Sequence, residues 1–141
     1  MLSRFYSGEQ MIEIFNRLNV RVSCLGNHDM DYGLEKMEQL ILKTNSVWLM
    51  ANLYYEGKIV GNLARSHIVF HEGLKIGVFG LCEFEWLGIL DPLIIDKNVE
   101  YVDFVTTAHE MSTQLKSEGC LYIIALTHMR LQNDRILAEA C

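Results

Sequence analysis

Apolar residues recur along this chain in two rhythms, one helical and one strand-like. Met11, Ile14, Phe15 and Leu18 stand at i, i+3, i+4 and i+7. Ser7-Gly8-Glu9-Gln10 before them has the S-x-x-Q form of a capping box, so the spacing predicts an amphipathic helix over residues 8–19. Val20 to Leu25 reads as a strand. Leu34, Met37, Leu40 and Ile41 mark a second helix face over residues 34–43, and Val47 to Ala51 reads as a short buried strand ending at Asn52, with Trp48 in the core. Turns are expected at Glu56-Gly57-Lys58 and Gly61-Asn62. Ser66 to His71 and Leu74 to Leu81 form the arms of a hairpin closed around Glu72-Gly73. Residues 83–93 look irregular and hold the only proline, Pro92, and Glu100 to Asp103 suggests a short strand. Phe104, Ala108, Met111 and Leu115 line a third helix stopped by Gly119. Leu121 to Leu126 is an uninterrupted apolar run, as expected of a strand covered on both faces, and Leu131 to Ala140 reads as a last helix.

Strands alternating with helices predict a layered α/β fold. In such folds functional sites gather at the carboxyl ends of strands. Two strand-like runs end in polar residues here, at Asn27-His28 and at Thr127-His128, so residues far apart in sequence are expected to face one cleft. The first ending is the densest chemistry in the chain: Gly26-Asn27-His28-Asp29-Met30-Asp31-Tyr32-Gly33 packs an amide, an imidazole and two carboxylates between two glycines. Such a set can bind a metal or move a proton. Asn, Asp and Gly are also what ordinary turns use, and composition alone favours that plainer reading.

Composition narrows the alternatives. At 141 residues, half of them hydrophobic, the chain is one globular domain or part of one. Its formal charge of −6 argues against a nucleic-acid backbone as partner. A small anionic substrate remains compatible, because bound metal ions reverse the local field. Cys24, Cys82, Cys120 and Cys141 form no C-x-x-C pair, which disfavours a structural zinc site. The first six residues carry no apolar segment of the signal-peptide kind, and no apolar run has the length of a membrane span. The expectation is a soluble, cytoplasmic, reducing setting, with no membrane contact.

Order and spacing add a resemblance. Gly26-Asn27-His28-Asp29 resembles the GNH-[DE] block of calcineurin-like metallophosphoesterases, and its continuation through Asp31 and Gly33 resembles the 5′-nucleotidase branch. Ala51-Asn52-Leu53 is similar to the A-N block of that branch, and Gly80-Leu81 with Glu83 and Trp86-Leu87 to its segment after the hairpin. Ala125-Leu126-Thr127-His128-Met129-Arg130, running on to Asn133-Asp134-Arg135 and Leu137-Ala138, is similar to its later histidine block. The resemblance covers nearly the whole chain and implies a layered α/β/β/α metallophosphoesterase sandwich. It implies hydrolysis of a phosphate ester, with a nucleoside monophosphate as substrate, or of a sugar-nucleotide or cyclic phosphodiester bond. Two divalent ions (Zn, Mn, Mg or Fe) roughly 3.5–4 Å apart would supply the hydroxide and neutralise the phosphoryl charge. By resemblance Asn27 and His128 are ligands of one ion. His28 and Asp31 form the dyad in which the carboxylate orients the imidazole and the imidazole protonates the leaving oxygen or stabilises the transition state. Asp29 fills the acidic position after the histidine without a ligand role.

Three blocks of the family are missing: there is no D-x-H before residue 26, no Gly-Asp dipeptide and no Gly-His. The resemblance therefore implies that residues 1–141 are the central part of a metallophosphoesterase domain, cut at both ends, whose isolated chain is inactive. A non-catalytic remnant is the alternative. The other polar residues have plain readings: His67 and His71 at a hairpin edge, His109 solvated on a helix, and Glu83, Glu85 and Trp86 either at the border of the cleft or, more ordinarily, in a structural loop. Arg130 suits either a phosphate or, more ordinarily for an Arg opening a helix, a surface carboxylate.

Overall fold

The computed structural model describes residues 7–88 and 98–141. The chain runs through α1 (Gln10–Arg17), β1 (Val22–Cys24), a 3₁₀ turn (Asn27–Met30), α2 (Leu34–Ile41) and β2 (Val47–Leu49). It continues through β3 (Leu53–Tyr55), β4 (Lys58–Ile59), β5 (Ser66–His71), β6 (Leu74–Cys82), β7 (Val99–Tyr101), α3 (Phe104–Ser117), β8 (Tyr122–His128) and α4 (Leu131–Ala140). β1 and β2 pair in parallel, β3 pairs antiparallel with both β4 and β7, and β6 lies between antiparallel β5 and parallel β8. This mixed α/β arrangement agrees with the expected class.

β6 organises the layers because both its faces are buried. Phe79 and Leu81 join Phe104, Ala108, Met111 and Leu115 of α3 and Leu137 of α4 in one core. Cys82 points the other way, into a second core with Leu25, Met37, Met50, Leu53 and Trp86. The period of two along a strand divides these side chains between the cores. Burying each large α3 side chain contributes about 1.5–3 kcal/mol. Asp103 caps α3 by accepting from Thr106 N–H at 2.9 Å, and Gly119, at φ +84°, follows its end, as the sequence suggested. The hairpin turn also forms where expected, with Glu72 and Gly73 both at positive φ.

Three expectations fail. The capping box does not form: Glu9 caps α1 and its side chain makes no capping hydrogen bond. Along α1, which forms where expected, Met11, Ile14 and Leu18 stay exposed while Phe15 stacks on Trp48 at 5.5 Å. Trp48 is itself half-buried rather than core, its indole N–H donating to Thr44 Oγ1. Finally, β8 is covered on one face only. Ile123 and Ala125 pack into the α3 core while Tyr122 and Ile124 are exposed. β8 has β6 on one side and no further partner among the described residues, so its apolar run reflects an edge rather than a sheet centre. Residues 89–93 of the irregular stretch, with Pro92, lie outside the described residues.

Gly80 sets how closely β6 approaches β2. Ala51 N–H donates to Gly80 O at 2.8 Å, and a Cβ at position 80 would stand 2.6 Å from the Leu49 carbonyl oxygen. Backbone cannot yield as a side-chain tip can. Gly80→Ala should therefore cost about 1–3 kcal/mol in urea unfolding, whereas Gly88→Ala, which meets nothing within 4 Å, should be nearly neutral. Equal stability of the two variants would remove this constraint.

Candidate active site

The β6–β8 register ends with Cys82 opposite His128, and Leu25 N–H, just past β1, donates to Leu49 O at 3.2 Å. The carboxyl ends of β1 and β8 come to one rim, as the sequence predicted, but the two strands belong to different sheets rather than to one. There His128 Nε2 lies 3.0 Å from Asn27 Oδ1, across 101 positions of sequence. The amide oxygen accepts, so in this arrangement Nε2 carries the proton. Gly26 is small for a reason: a Cβ there would sit 3.2 Å from His128 Cε1 and 3.3 Å from Nδ1, so the imidazole lies against bare backbone. Trp86, buried, presents its ring edge-to-face to the same imidazole at 5.3 Å.

His28 and Asp31 form the second pair. His28 Nδ1 stands 3.1 Å from Asp31 Oδ2 and 3.3 Å from Oδ1, a reach that the 3₁₀ turn between them provides. A carboxylate can only accept, so Nδ1 carries the proton and Nε2 is left facing outward. The side chains are 81% and 54% exposed, so the pair adds little to stability.

Asp29 has a role that the sequence reading did not assign. Its Oδ2 accepts from Gly26 N–H at 2.7 Å while its own N–H donates to Gly26 O at 3.1 Å. This closes the turn that aims Asn27 and His28. Burial raises the Asp29 pKa above the usual carboxylate value, opposed by the Gly26 N–H. The signal was present as an acidic residue three positions after Gly26, the residue that caps the turn. Arg130 meets carboxylates, and of the two only Glu85 is the surface partner expected: its guanidinium pairs with exposed Glu85 and, at 3.2 Å, with buried Glu83. His109 is exposed, and His67 and His71 lie on the edge strand β5, all away from the rim.

Between α1, β1 and β8 an open groove of about 460 Å³ runs up to these residues, lined by Phe15, Val22, Cys24, Trp48, Leu126 and Thr127 below and by His28, Asp29 and His128 at the rim. Its volume suits a small ligand. Burial pushes the Cys24 thiol in its floor up to about 11, which makes that sulfur a poor nucleophile. Asn27 Oδ1 and His128 Nε2 are the two donors of metal-binding type that the rim brings together. The 3.0 Å between them is a hydrogen-bond distance, and it leaves both atoms near enough to face one ion. Among the described residues no group of three or more His, Cys, Asp or Glu could hold an ion.

Layers, strand-end rim and paired polar residues together define a mixed α/β fold with a candidate site at its strand ends. The structure overlays on the 5′-nucleotidase precursor of Thermus thermophilus with a TM-score of 0.86 at 24% identity, covering 96% of this chain and 27% of that one. It overlays on the calcineurin-like phosphoesterase YfkN of Bacillus subtilis with a TM-score of 0.71 at 25% identity, over 83% of this chain and 37% of that one. In sequence, the venom 5′-nucleotidase of Crotalus adamanteus is 27% identical over 140 residues, 96% of this chain and 23% of its own length. The 2′,3′-cyclic-nucleotide 2′-phosphodiesterase/3′-nucleotidase of Haemophilus influenzae is 26% identical over 131 residues, 83% of this chain and 19% of its own length. No protein-family model matches the chain. The homologues of this chain are 5′-nucleotidases and calcineurin-like phosphoesterases, and it spans about a quarter of the length of the curated relatives it matches.

The Asp29 contact can be tested apart from any activity. Asp29→Ala loses the acceptor that closes the turn and should cost about 1 kcal/mol in chemical denaturation. Asp29→Asn keeps an acceptor oxygen and should recover most of it. Indistinguishable Ala and Asn variants would show that the turn closes without the side chain.

Proposed function

We propose that this chain carries the Asn27–His128 half of a metal-dependent phosphoesterase site, and that it forms the central part of a domain hydrolysing phosphate esters of nucleotides, nucleoside monophosphates first. The observation that carries the reading is the meeting of Asn27 and His128 at 3.0 Å across 101 positions, with the His28–Asp31 pair in the same turn. Hydrogen-bonding demand alone does not explain two exposed polar pairs at the ends of strands. The nucleotide-directed names of the relatives support the substrate class, and the cyclic-phosphodiesterase relative favours, as second reading, a cyclic phosphodiester bond.

In this reading Asn27 offers its amide oxygen and His128 its Nε2 to one divalent ion. When bound, such ions supply a hydroxide nucleophile and neutralise phosphoryl charge. Asp31 holds His28 by Nδ1–H, so when the ring is doubly protonated its Nε2–H is the proton given to the departing ester oxygen, leaving the neutral Nδ1–H ring behind. Asp29 keeps both side chains aimed by closing the turn on Gly26. The bare apolar face of β8, at Tyr122 and Ile124, supports the placement of this segment inside a larger domain.

Two measurements follow. Mn²⁺ titrated into the histidine-labelled chain should broaden the ring signals of His128 and His28 before those of His67, His71 and His109, and uniform broadening would remove the metal site. The chain by itself should not turn over p-nitrophenyl phosphate or AMP in excess Mn²⁺ or Zn²⁺, since two ligands rarely hold a catalytic ion; metal-dependent turnover that vanishes in His28→Ala would sink the half-site reading.

In a version extended to the length of the relatives, His28→Gln should lower kcat by roughly 10²–10⁴, the range of a lost general acid. Because the pair is exposed, the melting temperature should hardly move. A rate loss below tenfold would refute the proton-donor role.

A further inference from the structure

The residues that follow β6 grip His128 from two directions. Cys82 lies opposite it in the ladder, and the next side chain, Glu83, is buried at 4% exposure. A carboxylate is costly to bury unless donors surround it. Glu83 Oε2 accepts from Arg130 N–H at 2.8 Å and from Asn133 Nδ2 at 2.8 Å, while Oε1 faces Arg130 Nε at 3.2 Å. All three donors belong to the start of α4, two to five residues beyond His128. Arg130, the N-cap residue of α4, makes no side-chain cap of its own, so the helix takes its anion from a loop 47 positions earlier. Three residues after Glu83, Trp86 stands against the His128 ring. On the opposite side Asn52, fully buried, accepts from Cys82 N–H at 3.0 Å and donates to Cys82 O at 2.9 Å and to Val102 O at 3.1 Å, which fixes the residue just before Glu83.

We propose that Glu83 is a positioning residue for His128: by tying the first turn of α4 to the end of β6 it fixes both the backbone that carries the imidazole and the Trp86 ring that flanks it. The proposal rests on the reading of His128 as a metal-facing residue. Its physical ground does not depend on that reading. A buried ion pair is weak support for stability, and the Arg130 side chain is 55% exposed, so the pair with Glu83 is poorly explained as a stabilising contact. Glu85, exposed, reaches the same guanidinium and Asn133 at 3.4 Å from outside, and supplies a control that shares the charge but not the burial.

The test uses the chain with isotope-labelled histidines, the His128 signal being assigned from its loss in His128→Gln. Glu83→Ala should shift and broaden the His128 ring signal and leave His67, His71 and His109 in place. Its Mn²⁺-induced broadening should need roughly tenfold to a hundredfold more metal, the usual cost of removing an outer support of a ligand. Glu85→Gln should change neither. A folded Glu83→Ala whose His128 signal stays put, or moves only with all the others, overturns the proposal. Should Glu83→Ala fail to fold, Glu83→Asp, which keeps the charge and shortens the arm by one methylene, is judged by the same signal. If Mn²⁺ leaves His128 of the unmodified chain unaffected, the metal reading fails, and the ring signals alone decide the role of Glu83.

Discussion

The parallel ladder between β6 and β8 is the constraint on which the rest depends. Ile76 to Cys82 run beside Tyr122 to His128 without a break. Parallel strands need a long crossover, and α3 supplies it, burying Phe104, Ala108, Met111 and Leu115 against the sheet on the way. The ladder also fixes where β8 ends. A register slip of one residue would turn His128 and Leu126 to the α3 side and send Ile123 and Ala125 into water. Burial of Phe79 and Leu81 on that same side makes the slip expensive. The position of the histidine at the rim is therefore enforced by core packing some distance below it.

The rim itself is built with the opposite economy. Asn27, His28, Asp31 and His128 are partly or wholly exposed, and their mutual hydrogen bonds are of the kind that contributes little to folding. The groups that hold them are buried: Asn52 against Cys82, Glu83 against the start of α4, and Asp29 partly, against Gly26. Each of these is a polar side chain whose desolvation has to be offset by donors or acceptors in good geometry. Preorganisation of exposed reactive groups by buried polar supports is what a site needs in order to act without rearranging at the moment of reaction.

Much of this was legible in the sequence, and the reasons for success and failure are physical. The α3 stripe was readable because its partner, β6, lies within the chain and the period of 3.6 survives intact. The α1 stripe has the same spacing and forms its helix, yet stays largely exposed, because periodicity states which face is apolar and not what covers it. The β8 run misleads similarly: an apolar strand reads alike at the centre of a sheet and at an edge with one bare face. The sheet of β3, β4 and β7 was largely invisible, since strands of two and three residues carry no period, and the pairing of Leu53 with Tyr101 is a long-range event. At the site, strand endings in polar residues pointed to Asn27 and His128, which the structure brings within 3.0 Å of each other. Glu83 was read as a loop or cleft-border residue and its tie to α4 was missed, because its partners lie 47 and 50 positions away and no local pattern announces a cap delivered from another element.

That long-range cap also bears on how the two histidines differ. His28 is held by a partner three residues away within one turn, so its geometry is local and would survive modest changes elsewhere. His128 has no local support: its ring rests on Gly26, Trp86 and Asn27, and its backbone is fixed by β6 on one side and by Glu83 beyond. A ligand for an ion has to keep its lone pair aimed within a few tenths of an ångström, whereas a proton donor on an exposed turn can tolerate rotation. The heavier scaffold thus stands behind the residue whose proposed task demands the more exact direction. The lighter one stands behind the residue whose proposed task needs reach. Disturbing the β6–α4 tie should accordingly be felt at His128 first and at His28 little.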